Sequence, residues 1–323
     1  MPATRIRRQL AFVAGVMLLC GAAFGGEASP KITMAPDGKG GYTFDTGVLR
    51  GTLCPNGKLQ GLTSTTYIPS GTKLDRSMGI LSYYRVFTTG KRYGTGAWEW
   101  PGTATLVSDA TVRVTSPAMA DRPLDFSADY RWKDPRTLDV ETTVTARADL
   151  SKFESFLASY FDEAFPSPCV YVGEDPGEQD KPGFLLAKKS YGDWQMFPRD
   201  TQVVPIIQDG RWKIEPNPVN WAIMPRLKAP VCLRRGAAGG LAVILMAPPE
   251  DCFAIATPCE GEAHYSLYLS LFGRDIKAGE TAKAHARFII ASASSDAQVI
   301  ALYQRYINEL SSRTRPTDAA VKH

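Results

Sequence analysis

Residues 124–146, LDFSADYRWKDPRTLDVETTVTA, constrain the fold of this chain more than any other stretch. Leu124, Phe126, Ala128, Tyr130 and Trp132 alternate with Asp125, Ser127, Asp129 and Arg131. Leu138, Val140, Thr142 and Val144 repeat the alternation beyond a KDPR turn. A period of two gives each run one apolar and one wet face, which a helix with 3.6 residues per turn cannot do. The stretch predicts a β-hairpin, with Pro135 placed in the turn because proline cannot donate to a strand ladder. The same rhythm returns in ATVRVTS, in APVCLRR and LAVILMA about a Gly-Ala-Ala-Gly-Gly turn, in AHYSLYLSLF, and in TAKAHARFIIA after Lys277-Ala278-Gly279-Glu280. Strands recurring this way without interleaved helices predict an all-β fold, a large antiparallel two-sheet sandwich rather than a parallel α/β sheet.

One helix is expected, at the C-terminal end of the sandwich. Ser295 and Gln298 have capping-box spacing, and Val299, Tyr303, Tyr306 and Leu310 then recur at helical intervals. The pattern predicts a helix over 294–312 packed on one sandwich domain spanning 26–293, with a polar, disordered tail at 313–323. The acidic, Gly- and Pro-rich GEDPGEQDKP, 173–182, reads as a loop; the strands on its two sides are alike, so it divides no domains.

Arg5, Arg7 and Arg8 precede an apolar run from Leu10 to Leu19, and Ala23-Phe24-Gly25 supplies small residues for cleavage. This predicts a signal peptide over 1–25 and a secreted or periplasmic chain. No later stretch reaches the ~18 apolar residues of a membrane span. Cys20 follows Leu19 rather than a small residue, which argues against a lipid-modified cysteine. Removing three arginines and no acid takes the formal charge from +4 to about +1. Without a basic surplus, nucleic acid is excluded as a partner. Five cysteines remain: Cys252 and Cys259 are the best candidates for a disulfide, the alternative being buried thiols throughout. No CxxC, HExxH or EF-hand loop occurs, so neither metal nor other cofactor is expected, with a calcium ion on scattered carboxylates and carbonyls as the open alternative. A GxSxG elbow is also missing, which argues against a serine nucleophile.

Three segments carry a family resemblance: GYTFDTGVLRGTLCPNGKLQGL, FSADYRWKDPRTLDVETTVTA and YSLYLSLFGRDIKAGETAKAHARFII. In this order they resemble the galactose mutarotase-like β-supersandwich families, and more narrowly the secreted bacterial proteins that share that fold. The resemblance implies two strongly curved sheets and carbohydrate as the ligand class. Mutarotases use a histidine acid and a glutamate base, and here the chain departs from the pattern. Its histidines are His264, His285 and His323, and the pair maps onto no motif.

Saccharide chemistry needs two acid–base groups about the reacting centre. The candidates are His264, Glu99, Asp162 and Asp200. Asp162 and its neighbour Glu163 read equally as solvated loop acids. In HYSLYLSLF, alternation sets His264, Ser266, Tyr268 and Ser270 opposite a core face of Tyr265, Leu267, Leu269 and Leu271, either as a cleft floor or as an ordinary exposed surface. Arg85, Arg92, Tyr268, Trp194 and Arg199 are candidate substrate-binding residues; a guanidinium suits a carboxylate or sulfate, and the competing role for Arg85 is an ion pair between sheets. Arg274 and Asp275 are expected to pair with each other. In RYGTGAWEW, an extended backbone would put Trp98 and Trp100 on one face and Glu99 on the other. The chain is therefore expected to act on saccharides, as a hydrolase, lyase or epimerase, or to bind them as a non-catalytic or accessory module.

Overall fold

The structure, a computed structural model, describes residues 32–76, 78–173, 181–237, 240–292 and 295–314. The expected signal peptide, most of the acidic loop and the tail beyond Thr314 lie outside the described residues.

Strands dominate and form three sheets. The largest has nine strands, in the order Gly183–Leu186, Ser167–Val172, Leu227–Arg235, Leu241–Met246, Thr281–Ser292, Thr137–Ala146, Leu124–Asp134, Thr111–Ser116 and Thr103–Ser108. Opposite it lies a seven-stranded sheet: Ala222–Ile223, Trp194–Pro198, Cys252–Pro258, Ser266–Ile276, Leu150–Tyr160, Ser82–Thr88 and Lys91–Arg92. Within these sheets the Trp194–Pro198 and Ala222–Ile223 pair is parallel and the other pairs are antiparallel. A five-stranded meander from Thr33–Pro36 to Thr72–Lys73 adds a third, smaller sheet.

The hairpin read from alternation forms as expected, in register from Leu124 against Ala146 to Trp132 against Leu138. Its apolar set, Leu124 to Trp132, is buried in the main core between the two large sheets, joined there by Leu157, Leu269 and Phe288. Phe44, Leu49, Leu53 and Leu62 of the meander belong to the same core.

The C-terminal helix, Asp296–Thr314, opens with the expected reciprocal cap. The Ser295 amide donates to Gln298 Oε1 at 3.1 Å, and the Gln298 amide donates to Ser295 Oγ at 3.4 Å. Val299 and Tyr306 seal it onto the outer face of the nine-stranded sheet, against Leu233, Ile244 and Met246.

The seven-stranded sheet is covered on both faces. Its inner side meets the main core, and its outer side packs under residues 203–221, which contribute Val203, Ile206, Ile207 and Trp212 to a second apolar cluster. Consequently Ser266 to Phe272 are all buried, and the apolar/polar alternation there separates two interiors rather than an interior from water. An exposed surface for Ser266, Tyr268 and Ser270 is thereby ruled out.

Two further expectations are corrected. All five described cysteines are free thiols. Cys252 opens and Cys259 follows the Cys252–Pro258 strand, so at ~3.3 Å per residue they stand roughly 20 Å apart, far beyond the ~7 Å limit for a disulfide. Asp275 pairs with Lys152 rather than Arg274, accepting its backbone N–H at 2.8 Å with the Lys152 Nζ at 3.4 Å. Adjacent residues in a strand point to opposite faces, which separates Arg274 from Asp275.

Candidate functional site

A cleft of about 520 Å³ opens on the outer face of the seven-stranded sheet, beneath the 212–221 segment. Four of the chain's six tryptophans line it: Trp98, Trp194, Trp212 and Trp221. Phe156, Tyr160 and Tyr268 rise into it from adjacent strands, and Lys58, Tyr84, Arg85, Thr95, Glu99, Asn217 and His264 complete the polar lining. Of the residues singled out from sequence, His264, Glu99, Arg85, Tyr268 and Trp194 therefore share one cavity; Asp162, Asp200, Arg92 and Arg199 do not line it.

Local irregularities aim several of these side chains. Between Ser82–Thr88 and Leu150–Tyr160 the register runs from Arg85 opposite Phe156 to Tyr83 opposite Leu157, leaving Tyr84 as an extra residue. Such a bulge re-aims side chains. The consecutive Tyr84 and Arg85 both reach the cleft, while Tyr83 turns into the main core and bonds Thr142 Oγ1 at 2.5 Å. The AWE segment is not extended but a single 3-10 turn, Ala97–Glu99. A period of three sends Trp98 into the outer cluster and Trp100 into the main core, where it packs edge-on against Phe126. The alternation expected there fails, and Glu99, exposed, lies beside Trp98 on the cleft.

The aromatic wall is held from behind. Trp98 stacks on Tyr84 at 4.3 Å, and Phe156 stacks on Tyr268 at 4.6 Å. Trp212 meets Phe87, Phe156 and Trp221 edge-on, with centroids 4.9, 4.7 and 5.1 Å away. Its neighbour Arg211 is fully buried and ion-paired to Glu154 at 3.0 Å and Asp209 at 2.8 Å, which anchors the turn carrying Trp212 to the sheet. Burial pushes the Tyr268 phenol up to about 12, so it stays protonated and accepts a bond from Ser266 Oγ at 2.7 Å.

His264 sits at the rim, just before the Ser266–Ile276 strand, with its Nδ1 2.8 Å from the Glu262 carboxylate. Its ring packs edge-on against Trp194 at 5.3 Å. Arg85 is 3% exposed. One of its nitrogens, Nη2, donates to Asn217 O at 2.6 Å and to the Tyr84 hydroxyl at 3.2 Å, and its guanidinium lies against the Tyr84 and Trp212 rings. The ion pair between sheets does not form: no carboxylate among the described residues lies within 4.0 Å of it.

The four residues outside the cleft have structural roles. Asp200 accepts the Gln202 and Val203 amides at 2.8 and 3.2 Å, starting the turn that leads into the short helix Val204–Ile207, and also pairs with Arg199 at 2.8 Å. Arg199 donates further to Pro249 O at 3.0 Å. Asp162 closes a turn by accepting the Ala164 amide at 3.0 Å. Arg92 ties the cleft's border together, donating to Pro216 O at 2.5 Å and to Thr95 O. Sequence reasoning missed Tyr84, Tyr160, Trp212, Asn217 and Trp221. The signal available was GRWKIEPNPVNWAIMP, an irregular stretch that places two tryptophans nine residues apart among Pro and Asn.

A groove of about 620 Å³ runs between the nine-stranded sheet and the C-terminal helix, but its charges answer one another. His285 lies between Asp251 at 2.7 Å and Glu141 at 3.2 Å, and Lys283 pairs with Glu141 at 2.6 Å. Among the described residues no three His, Cys, Asp or Glu side chains converge as a metal-ligating set, and no helix is long and apolar enough to cross a membrane.

No protein-family model matches the sequence, and no curated protein matches it. Solved structures do match the fold. A galactose mutarotase-like protein from Lactobacillus casei ATCC 334 superimposes with a TM-score of 0.51 at 11% identity, over 78% of this chain and 100% of that one. A galactose mutarotase related enzyme from Lactobacillus acidophilus gives 0.50 at 8% identity, over 79% and 98%. Identities this low speak to architecture alone, and the architecture is clear: the chain has the galactose mutarotase-like all-β sandwich fold.

Proposed function

We propose that this protein binds a saccharide in the aromatic cleft and acts on it with His264 and Glu99 as acid–base groups, in a secreted or periplasmic setting. The observation that carries the reading is the convergence of Trp98, Trp194, Trp212 and Trp221 on one cavity that also holds Glu99 and His264. Sugar rings present apolar C–H faces that stack on indoles, while their hydroxyls need the acceptors and donors that Tyr84, Asn217, Glu99 and Lys58 supply. The names of the two Lactobacillus proteins, a galactose mutarotase-like protein and a related enzyme, point to the same ligand class. Glu262 holds the His264 ring in place, its carboxylate 2.8 Å from Nδ1, which orients the imidazole at the cleft.

A non-catalytic binder is the competing reading, and one observation favours it: Glu99 and the half-exposed His264 both stand at the wet rim. A glycan-array screen followed by product analysis on each hit separates the two. Glu99→Gln and His264→Ala are expected to keep binding within a few-fold and to lower turnover by about 10²–10⁴. Binding by the wild-type chain with no product from any hit would establish the binder. No binding to any glycan would overturn both readings.

A further inference from the structure

Building on the saccharide reading above, we infer that the cleft selects acidic saccharides, those bearing a carboxylate or a sulfate ester, and that Arg85 receives the anionic group. The argument begins with how this chain treats its other buried arginines. Arg211 has Glu154 and Asp209. Arg287 has Asp139 at 2.6 Å and Glu309 at 2.8 Å. Arg234 has no carboxylate but donates to three backbone carbonyls, those of Phe165, Pro166 and Ser266. Arg122, 3% exposed, donates to Pro117 O and lies over the Trp100 ring at 4.0 Å, leaving only its Nε unanswered. Arg85 is equally enclosed, at 3% exposure, and is the one arginine among the described residues that leaves two buried nitrogens unanswered. Its Nη2 alone is bonded, while Nε and Nη1 are buried with no acceptor. Leaving N–H groups of a buried cation unanswered costs far more than an ordinary lost hydrogen bond.

The rest of the lining has the same bias. The indole N–H groups of Trp98, Trp212 and Trp221 are also buried without acceptors, and no cleft-lining residue contributes a buried acceptor that lacks a donor. Arg92 stands close enough that burial and the charge of Arg85 together depress its own pKa. Lys58 adds a further cation. Against these stand Glu99 and the His264–Glu262 pair, both at the rim. A cleft with unanswered donors and surplus positive charge fits an acceptor-rich anion, and a planar guanidinium matches the oxygens of a carboxylate or a sulfate. Arg85 lies over the rings of Tyr84 at 4.7 Å and Trp212 at 5.1 Å, so the anionic substituent would be fixed beside the stacking surface for the sugar ring.

The test is calorimetric titration of the unaltered chain with four probes: a trisaccharide of galacturonic acid, the same trisaccharide as its methyl ester, a sulfated neutral trisaccharide and its desulfated form. The acid is expected to bind at least tenfold tighter than its ester, about 1.4 kcal/mol. Whichever acidic probe shows the larger advantage over its neutral counterpart identifies the anion as carboxylate or sulfate. In Arg85→Gln the advantage should vanish while the neutral probes keep their affinity; Arg85→Lys should restore part of it. Equal affinity for each acidic probe and its neutral counterpart would overturn the inference and leave the saccharide reading standing. An undiminished advantage in Arg85→Gln would overturn the assignment to Arg85. Failure of all four probes on the unaltered chain would overturn the saccharide reading itself. The acid-against-ester comparison needs no variant, so it holds whether or not Arg85→Gln folds.

Discussion

Arg211 and Glu154 are both fully buried and meet at 3.0 Å between the seven-stranded sheet and the turn that carries Trp212. Removing one partner strands the other charge in the interior, at a cost of about 3–5 kcal/mol. Arg211→Met is therefore expected to lower unfolding free energy by that amount in urea denaturation, with loss of the Trp212 environment in its fluorescence. The double variant Arg211→Met, Glu154→Gln should be distinctly more stable than Arg211→Met alone. An equal or larger loss in the double variant would show that the damage comes from packing and not from the stranded carboxylate. At this scale the sequence was partly legible. Glu154 drew no reading of its own although it interrupts the apolar run SKFESFLASY, and its partner lies 57 residues away and carries no pattern of its own. Arg85 shows the same limit: its type suggested anion recognition or an ion pair, and which of the two depended on whether any carboxylate folds up against it.

Helix and hairpin were legible as elements because their determinants are local. Ser295 and Gln298 sit three residues apart and bond reciprocally, so the start of the Asp296–Thr314 helix is set by four consecutive residues. Ser295→Ala is expected to cost about 0.5–2 kcal/mol. The 3.4 Å separation on the Ser295 side places it at the low end, and the shift in the urea midpoint checks it. Alternation also carried the Leu124–Asp134 and Thr137–Ala146 hairpin correctly into register. It failed at Trp98, and it could not have been applied at Tyr84. The 3-10 turn at Ala97–Glu99 and the bulge opposite Phe156 change the local period, and a bulge exists only in relation to its partner strand.

Across the whole molecule, opposing titrations link the nine-stranded sheet to its surroundings. His285 has its pKa raised, chiefly by its hydrogen bond to Asp251 against the effect of burial, with Glu141 adding to it. A raised value means the folded state favours the protonated ring. That contribution is complete below the unfolded value of about 6.5 and is lost as pH rises through the folded one. Asp139 and Glu141 run the other way. Burial works against their charges, but Arg287 and Arg131 for the first, and Lys283 and His285 for the second, hold both below the usual carboxylate range. Their contribution is present above the unfolded values of about 4 and fades as pH falls through the folded ones. Stability should accordingly be highest from about pH 5 to 6.5. Urea midpoints measured from pH 6 to 9 should fall for the wild-type chain and fall less for His285→Gln. Parallel curves would refute a role for His285.

The sequence by itself determined the fold class, the hairpin, the capped helix and a pool of candidate residues, because periodicity, turn chemistry and capping act within a few residues of each other. Only the tertiary structure decided that the seven-stranded sheet is buried on both faces, that Cys252 and Cys259 stand at opposite ends of one strand, and which candidates converge. His264, Glu99, Arg85, Tyr268 and Trp194 meet at one cleft, whereas Asp162, Asp200, Arg92 and Arg199 are spent on turns and ties. Convergence is a property of strand order and of what covers a sheet, and those depend on contacts between residues far apart in the chain, which no local pattern encodes.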